Sequence, residues 1–307
     1  MNRVTLCIAA AALAGTSCAA FAQAPMERRY LNEVFETHER TGDIVFAERH
    51  NDSSGKLEKL TLRLFQPKGD TESKRPLVVI TPGGAFSQHE DHWMDDFGEQ
   101  LARAGYVVAI HRYRLSKNID TPDAFRRALA KAVADQKEVI QFFLRDARGQ
   151  KRFRIDPEKM FIAGHSAGAI TSLYVGYLSD SSEISPELQE ALAMQSSGQN
   201  VQPIDYRLRG VINLSGLVAD LALFDKEEPP LISLHGDLDD IVRIGTAPGG
   251  FGSIPVHERA QAVGLSSEMY PIKGAGHNDT ASSQLCPECV PLIRRFLFNT
   301  IKENSRS

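Results

Sequence analysis

The sequence has no excess of basic residues and no apolar run long enough to cross a membrane. Lys and Arg number 35 against 39 Asp and Glu in 307 residues, which gives a formal net charge of −4 at pH 7. Nucleic acid is therefore not an expected partner, because phosphate contacts need clustered Lys and Arg. The N-terminal apolar run covers only residues 4–15, whereas a spanning helix needs about 20 residues.

The first 22 residues have the parts of a secretory signal peptide. A cationic start at residues 1–3 precedes the apolar run, and Ala20-Phe21-Ala22 supplies the small-x-small pattern that signal peptidases recognise. We expect residues 1–22 to be cleaved, so that the mature protein begins at Gln23 and is secreted or periplasmic. Arg3 is the one basic residue of this segment, so the mature chain keeps 34 of the 35 and has a net charge near −5.

Cysteine is scarce. Cys7 and Cys18 lie inside the predicted signal, where Gly15-Thr16-Ser17 is a poor context for a lipid attached to Cys18, and Cys286 and Cys289 lie near the C-terminus. In a cytosolic protein Cys-x-x-Cys would indicate redox chemistry or half of a zinc site, but the sequence has no second Cys pair to complete such a site. In an oxidising compartment the pattern predicts a local disulfide, with disulfide redox chemistry as the alternative.

The rest of the composition is that of a globular protein with a large core. Hydrophobic residues make up 42% and charged residues 24% of the chain, which argues against a disordered chain, a collagen-like repeat and a polytopic membrane protein. No internal repeat or low-complexity linker follows residue 25. The length allows one large α/β domain or two average domains.

Hydrophobic periodicity predicts an α/β fold. Residues 43–50 and 58–66 alternate at period two, which is typical of half-exposed antiparallel strands. Short continuous apolar runs follow, typical of strands buried on both faces of a sheet: residues 77–81, 106–111, 160–164, 210–214, 231–234 and 268–272. Residues 122–147 carry an apolar stripe at helical spacing that only Gln136 interrupts.

These patterns predict a mostly parallel twisted sheet with antiparallel strands at its N-terminus and helices on both faces. Residues 23–307 are expected to form this single domain. The polar segment 181–209 fits the alternation less well, and it contains one predicted short helix at residues 186–194. The segment is either a small lid or an ordinary surface insertion.

Gly164-His165-Ser166-Ala167-Gly168 carries the strongest chemical signal. It follows a predicted strand and precedes a helical stretch, which is the context of a Gly-x-Ser-x-Gly nucleophile turn. The residues two before and two after the serine must be very small, because the turn is sharp. We therefore predict Ser166 as a nucleophile placed at a helix N-terminus, where developing negative charge is favoured. His165 is expected to point away from the tip of the turn.

The chain resembles the α/β-hydrolase family, in particular its secreted carboxylesterase and lipase-like members. Thr81-Pro82-Gly83-Gly84-Ala85-Phe86 is similar to the family's His-Gly-Gly-Gly oxyanion loop, and Tyr113-Arg114-Leu115 to the Tyr-Arg-Leu that follows the next strand. Pro82 replaces the usual His and Ala85 the last Gly. The resemblance implies that the N–H groups of Gly84, Ala85 and Ala167 form an oxyanion hole, in which one lost donor costs about 2.7–4 kcal/mol of transition-state free energy.

The resemblance also implies an acid and a base in the chain order Ser, acid, His. His235-Gly236-Asp237-Leu238-Asp239-Asp240-Ile241-Val242 resembles the family's His-Gly-x-x-Asp-x-x-Val, which matches Asp239 to the acid. Asp237 and Asp240 are the competing carboxylates, expected at turn or surface positions. His277, on the glycine-rich loop after the last predicted strand, stands where the family keeps its base. We expect His235 to support the acid loop.

The resemblance therefore implies a secreted serine hydrolase that cleaves small-molecule or polymeric carboxylic esters without a cofactor. A catalytic metal is not expected: His89-Glu90-Asp91-His92 is a weak cluster that lacks the helical His-Glu-x-x-His pattern. Two alternatives remain open. The same three residues cleave amides in exopeptidase-like hydrolases, and the scaffold also carries non-enzymatic binding modules.

Overall fold

The computed structural model describes residues 29–178, 184–196, 203–247 and 249–303. The predicted signal peptide, residues 1–22, lies outside the described residues. The strands are β1 His38–Asn51, β2 Lys56–Pro67, β3 Arg75–Thr81, β4 Val107–His111, β5 Ile155–His165, β6 Gly210–Leu214, β7 Leu231–Gly236, β8 Thr246–Ala247, β9 Gly250–Phe251 and β10 Ser267–Ile272. The α-helices are α1 Asp95–Ala104, α2 Pro122–Arg148, α3 Ala167–Tyr177, α4 Pro186–Ser196, α5 Ser253–Val263 and α6 Cys289–Glu303.

Eight of these strands form one sheet in the order β1-β2-β4-β3-β5-β6-β7-β10. β1 pairs with β2, and β2 with β4, in antiparallel orientation. All the other neighbours in this sheet run parallel. The predicted fold class, a mostly parallel sheet with antiparallel strands at the N-terminus, is confirmed.

The sheet is buried on both faces. Successive residues of β3 alternate between two cores: Leu77 and Val79 belong to one, Val78 and Ile80 to the other. Side chains of α2, α3 and α5 fill the first core, and those of α1 and α6 fill the second. This arrangement explains why the strand sequences are continuously apolar instead of alternating.

Helix α2 matches the predicted apolar stripe and explains its interruption. The Thr121 hydroxyl caps the helix by accepting from Ala124 N at 3.2 Å. Gln136 is fully buried, and its Nε2 donates to the hydroxyl of Ser172 on α3 at 2.9 Å. The single polar residue of the stripe therefore links two packed helices.

The described part of the 181–209 insertion packs on the flank of α2. Leu188 of α4 is buried in the first core. The side chain of Gln141 on α2 both donates to Ile204 O and accepts from Ile204 N, each at 2.8 Å. Residues 181–183 and 197–202 lie outside the described residues, so the choice between a lid and a surface insertion stays a prediction.

Two helices lie near the C-terminus. α6 begins at Cys289, two residues after Pro287. α5 begins at Ser253, after the short β8–β9 hairpin. None of the helices in the described ranges is long and apolar enough to span a membrane.

Candidate active site

Ser166 occupies the turn between β5 and α3. Its backbone has φ 52° and ψ −121°, outside the regions that L-residues ordinarily occupy. The two glycines make the turn possible: a Cβ on Gly164 would collide with the backbone of Gly168, and a Cβ on Gly168 with the carbonyl of Thr81. The Gly-x-Ser-x-Gly sequence thus folds into a sharp strand-to-helix turn that places the serine hydroxyl at the N-terminus of α3.

Three side chains from separate loops meet at the carboxyl edge of the sheet. Ser166 follows β5, Asp239 follows β7 and His277 follows β10. His277 Nε2 lies 2.8 Å from Ser166 Oγ, and His277 Nδ1 lies 2.7 Å from Asp239 Oδ2. All three residues are buried, with 9%, 6% and 8% of Ser166, Asp239 and His277 exposed. The structure therefore brings together the three residues that the sequence and the resemblance pick out.

Asp239 is surrounded by hydrogen-bond donors. Burial raises its pKa, but hydrogen bonds from His235, His277 and Val242 outweigh burial and hold the pKa well below the usual range of a carboxyl. The N–H groups of Ile241 and Val242 donate to Oδ1 at 3.0 and 2.8 Å. Asp239 is therefore a carboxylate whose Oδ2 faces the imidazole of His277.

The two competing carboxylates lie elsewhere. Asp237 is exposed, and its Oδ1 accepts from Gly274 N at 2.6 Å. Asp240 is also exposed. Asp237 thus holds the loop before His277 in place, while Asp239 alone among the three contacts the imidazole.

The loop after β3 lies against Ser166. A Cβ on Gly83 would be 3.3 Å from the Cβ of Ser166. Gly84 and Ala85 both have positive φ, 114° and 50°, and Ala85 accepts a conformation that costs a non-glycine residue about 1–2 kcal/mol. Within the described part of the chain, the N–H groups of Gly84, Ala85 and Ala167 donate to no protein acceptor. These are the three N–H groups that the resemblance assigns to the oxyanion hole.

Two further buried histidines contact the site. His165 Nε2 lies 2.9 Å from the backbone oxygen of His277. His235 Nε2 lies 2.7 Å from Val242 O and 3.2 Å from Asp239 Oδ2, and its Nδ1 is 2.7 Å from Ser253 Oγ. The position of His235 agrees with the expected support of the acid loop. The contact of His165 is not predicted by its position beside the nucleophile, because it involves a residue 112 positions away.

Other candidate residues lie apart from these contacts. His89 is half-buried against Tyr113 O at 2.7 Å, and His92 is exposed. Groups of three or more metal-ligating side chains are absent from the residues that the structure describes. The sulfur atoms of Cys286 and Cys289 are within bonding distance, the Cα atoms lie 5.4 Å apart, and both residues are fully buried.

The sheet order, the strained serine turn and the loop beside it define an α/β hydrolase. A model of the family described as BD-FAE matches residues 62–222. This match covers more than half of the chain, and the chain belongs to the BD-FAE family.

Two curated proteins are similar in sequence to about half of this chain. "Acyl-protein thioesterase 1 homolog 1" of Dictyostelium discoideum is 25% identical over 173 residues, 55% of this chain and 60% of the relative. "Probable carboxylesterase 3" of Arabidopsis thaliana is 25% identical over 171 residues, 53% of this chain and 49% of the relative. The chain thus spans between about half and three fifths of the length of these relatives.

The fold is similar to that of Thermogutta terrifontis esterase 2. The apo form superimposes with a TM-score of 0.64 at 18% identity, covering 84% of this chain and 93% of that chain. The form phosphonylated by cyclosarin gives a TM-score of 0.62 with the same identity and coverage. At this level of identity the likeness establishes the fold.

Proposed function

We propose that the protein is a serine hydrolase that cleaves carboxylic esters through Ser166, His277 and Asp239. The observation that carries the proposal is the continuous chain of hydrogen bonds from Ser166 Oγ through His277 to Asp239, 2.8 and 2.7 Å long. A serine hydroxyl is a weak nucleophile until an adjacent base removes its proton. The imidazole of His277 is within reach to do so.

The geometry supports a reaction in two stages. Ser166 Oγ attacks the ester carbonyl carbon while His277 Nε2 takes the hydroxyl proton, and the carboxylate of Asp239 stabilises the imidazolium through Nδ1. The negative oxygen of the tetrahedral intermediate accepts hydrogen bonds from the N–H groups of Gly84, Ala85 and Ala167. His277 then gives its proton to the leaving alkoxide.

The acyl-enzyme left on Ser166 is cleaved by water. His277 Nε2 takes a proton from the attacking water, a second tetrahedral intermediate forms in the same oxyanion hole, and its collapse returns the proton to Ser166 Oγ. The reaction releases the acid and regenerates the enzyme. Each step uses side chains and backbone N–H groups of this chain and calls for no cofactor.

Three named relatives support the choice of ester substrates. The curated relatives are described as an acyl-protein thioesterase homologue and a probable carboxylesterase, and the solved structure as an esterase. All three names refer to hydrolysis of an acyl group from oxygen or sulfur. We propose that this chain cleaves the same class of bond. Because residues 1–22 have the parts of a secretory signal peptide, we also propose that the protein is periplasmic or secreted.

Hydrolysis of p-nitrophenyl esters of graded chain length, assayed beside aminoacyl-nitroanilides, tests the proposal. We expect the wild-type protein to hydrolyse the esters and Ser166→Ala to have lost this activity. Turnover of the anilides alone would assign an amidase instead. Absence of turnover on both series, together with no labelling by a fluorophosphonate, would favour a non-enzymatic binding module.

A further inference from the structure

We infer that His165 is a positioning residue that holds the backbone of His277 against the nucleophile turn. The inference rests on the proposed function, because it concerns the alignment of the same serine and imidazole. His165 is joined covalently to Ser166 and is hydrogen-bonded to the main chain of His277. It therefore connects the nucleophile to the base by a path separate from the reacting side chains.

The contacts of His165 leave its ring little freedom. Only 2% of the residue is exposed, and its Nε2 lies 2.9 Å from the carbonyl oxygen of His277. The two imidazole rings lie 5.0 Å apart. On its other side, a Cβ added to Gly83 would come within 2.8 Å of His165 Nδ1. The ring is thus held between the oxyanion loop and the loop of the base.

The hydrogen bond fixes the tautomer of His165. A carbonyl oxygen can only accept, so Nε2 carries the proton and donates it. Burial lowers the pKa of His165 to about 4, although the hydrogen bond to His277 by itself raises the pKa. The ring is therefore neutral at pH 7 and a steady donor, and it does not compete with His277 for the proton of Ser166.

Alignment by a backbone contact has a kinetic consequence. The serine–imidazole geometry must stay within a narrow range for proton transfer, and a displacement of about 1 Å can cost about 100-fold in rate. The carbonyl of His277 belongs to the residue whose ring accepts the proton, so a shift of that carbonyl moves Nε2 directly. Because His165 is 2% exposed and its bond to the His277 carbonyl is internal to the protein, we expect the contact to affect kcat and not KM.

The test compares apolar and amide replacements of His165. In His165→Gln the amide nitrogen can stand near the position of Nε2 and donate to the same carbonyl, whereas His165→Leu and the more flexible His165→Met cannot donate. Gln136→Leu serves as the matched control, because it also removes one buried hydrogen bond, from Gln136 to Ser172, away from the serine turn. Each variant is assayed on a p-nitrophenyl ester, and its folded fraction and Tm are measured.

We expect kcat of His165→Leu and His165→Met to fall between about 10- and 100-fold with KM within about threefold of wild type. Fluorophosphonate labelling of Ser166 should slow by a similar factor. His165→Gln should recover most of kcat, and Gln136→Leu should keep the wild-type kcat per folded molecule even if its Tm falls.

Two results would overturn the inference. Wild-type kcat and labelling in a folded apolar variant would show that the contact aligns nothing, and a loss in His165→Gln equal to that in the apolar variants would show that the donor is not what matters. If His165→Leu does not fold, His165→Met decides. The proposed function fails separately, when Ser166→Ala retains turnover.

Discussion

Gly168 packs directly against the carbonyl of Thr81, with no space between them for a methyl group. The contact joins the first turn of α3 to the end of β3, so the serine turn and the oxyanion loop approach each other through backbone atoms. The glycine two residues after the nucleophile is therefore required by the neighbouring strand as well as by the turn itself.

Gly168→Ala should destabilise the protein and reduce ester turnover together. The added methyl group must displace the end of β3, and overpacking of this kind costs about 1–3 kcal/mol of unfolding free energy. Urea unfolding and kcat measure the two effects. Gly42→Ala is the control, because nothing lies within 4 Å of a Cβ at that position. Equal stability of the two variants would contradict the close contact.

Ser166→Ala should lower ester turnover by a factor on the order of 10⁶. The substitution deletes one hydroxyl from a buried turn, so the fold should survive and circular dichroism should match the wild type. A fluorophosphonate should label wild-type Ser166 and no other serine, as read by peptide mass spectrometry. Labelling elsewhere would mean that the nucleophile has been misassigned.

Asp239→Asn should lower kcat by a factor on the order of 10⁴, because an amide favours the wrong tautomer of the base. Asp237→Asn and Asp240→Asn are matched controls on the same loop, and both carboxylates are exposed. Asp240→Asn should retain nearly all turnover. Asp237→Asn should lose far less than Asp239→Asn, because the amide oxygen of Asn can still accept from Gly274 N. A larger loss in Asp237→Asn than in Asp239→Asn would place the acid two residues earlier.

His111 should make the protein less stable in acid. It is fully buried, its Nε2 lies 2.7 Å from Thr81 Oγ1, and burial lowers the pKa of His111 to about 3. An unfolded His has a pKa of about 6.5. Below that pH the unfolded chain binds a proton at this residue that the folded chain excludes. The contribution of His111 to the free energy of unfolding is therefore complete above about pH 6.5 and is lost as the pH falls toward 3.

The measurement compares wild type with His111→Gln by urea unfolding at pH 7, 6 and 5. The free energy of unfolding of the wild type should fall more steeply with acid than that of the variant, by up to about 1.4 kcal/mol per pH unit below 6.5. Parallel curves would mean that His111 takes up a proton in the folded protein.

Cys286 and Cys289 should form a disulfide that affects stability and not turnover. A loop of this length contributes about 2 kcal/mol or less in the chain-entropy model, and the pair lies at the start of α6, outside the hydrogen-bond chain of Ser166, His277 and Asp239. Intact mass without reduction should be lower by two hydrogen atoms. Replacing both residues by Ser should lower Tm by a few degrees at unchanged kcat. Two alkylatable thiols in the unreduced protein would reject the bridge.

Local sequence patterns were sufficient to locate the strands of the eight-stranded sheet and the serine turn. The apolar runs of β3 to β7 are visible in the sequence because burial on both sheet faces demands them, and Gly164 and Gly168 mark the turn because its geometry excludes a Cβ. The residues of the base and acid loops could be selected only with the resemblance, since several carboxylates and histidines stand near each other in the sequence.

Features that depend on distant contacts were not predictable. The β8–β9 hairpin lies in a glycine-rich stretch, and it is held by Phe251, whose N–H and carbonyl both bond to Val218. Likewise, nothing near His165 in the sequence indicates that its ring reaches His277. Such contacts follow from how the sheet brings separate loops together.

His277 lies on the loop that follows β10, a strand at one edge of the sheet. β10 is the last strand of the sheet order, and among the described strands β7 is its one partner, over the six pairs from Ser267–Leu231 to Ile272–Gly236. Local opening of this ladder would carry His277 away while the central strands stay paired, since edges can open at lower free energy than the core. Catalytic activity therefore reports on the integrity of one sheet edge, and inactivation in mild denaturant should precede the loss of the protein's overall circular dichroism signal.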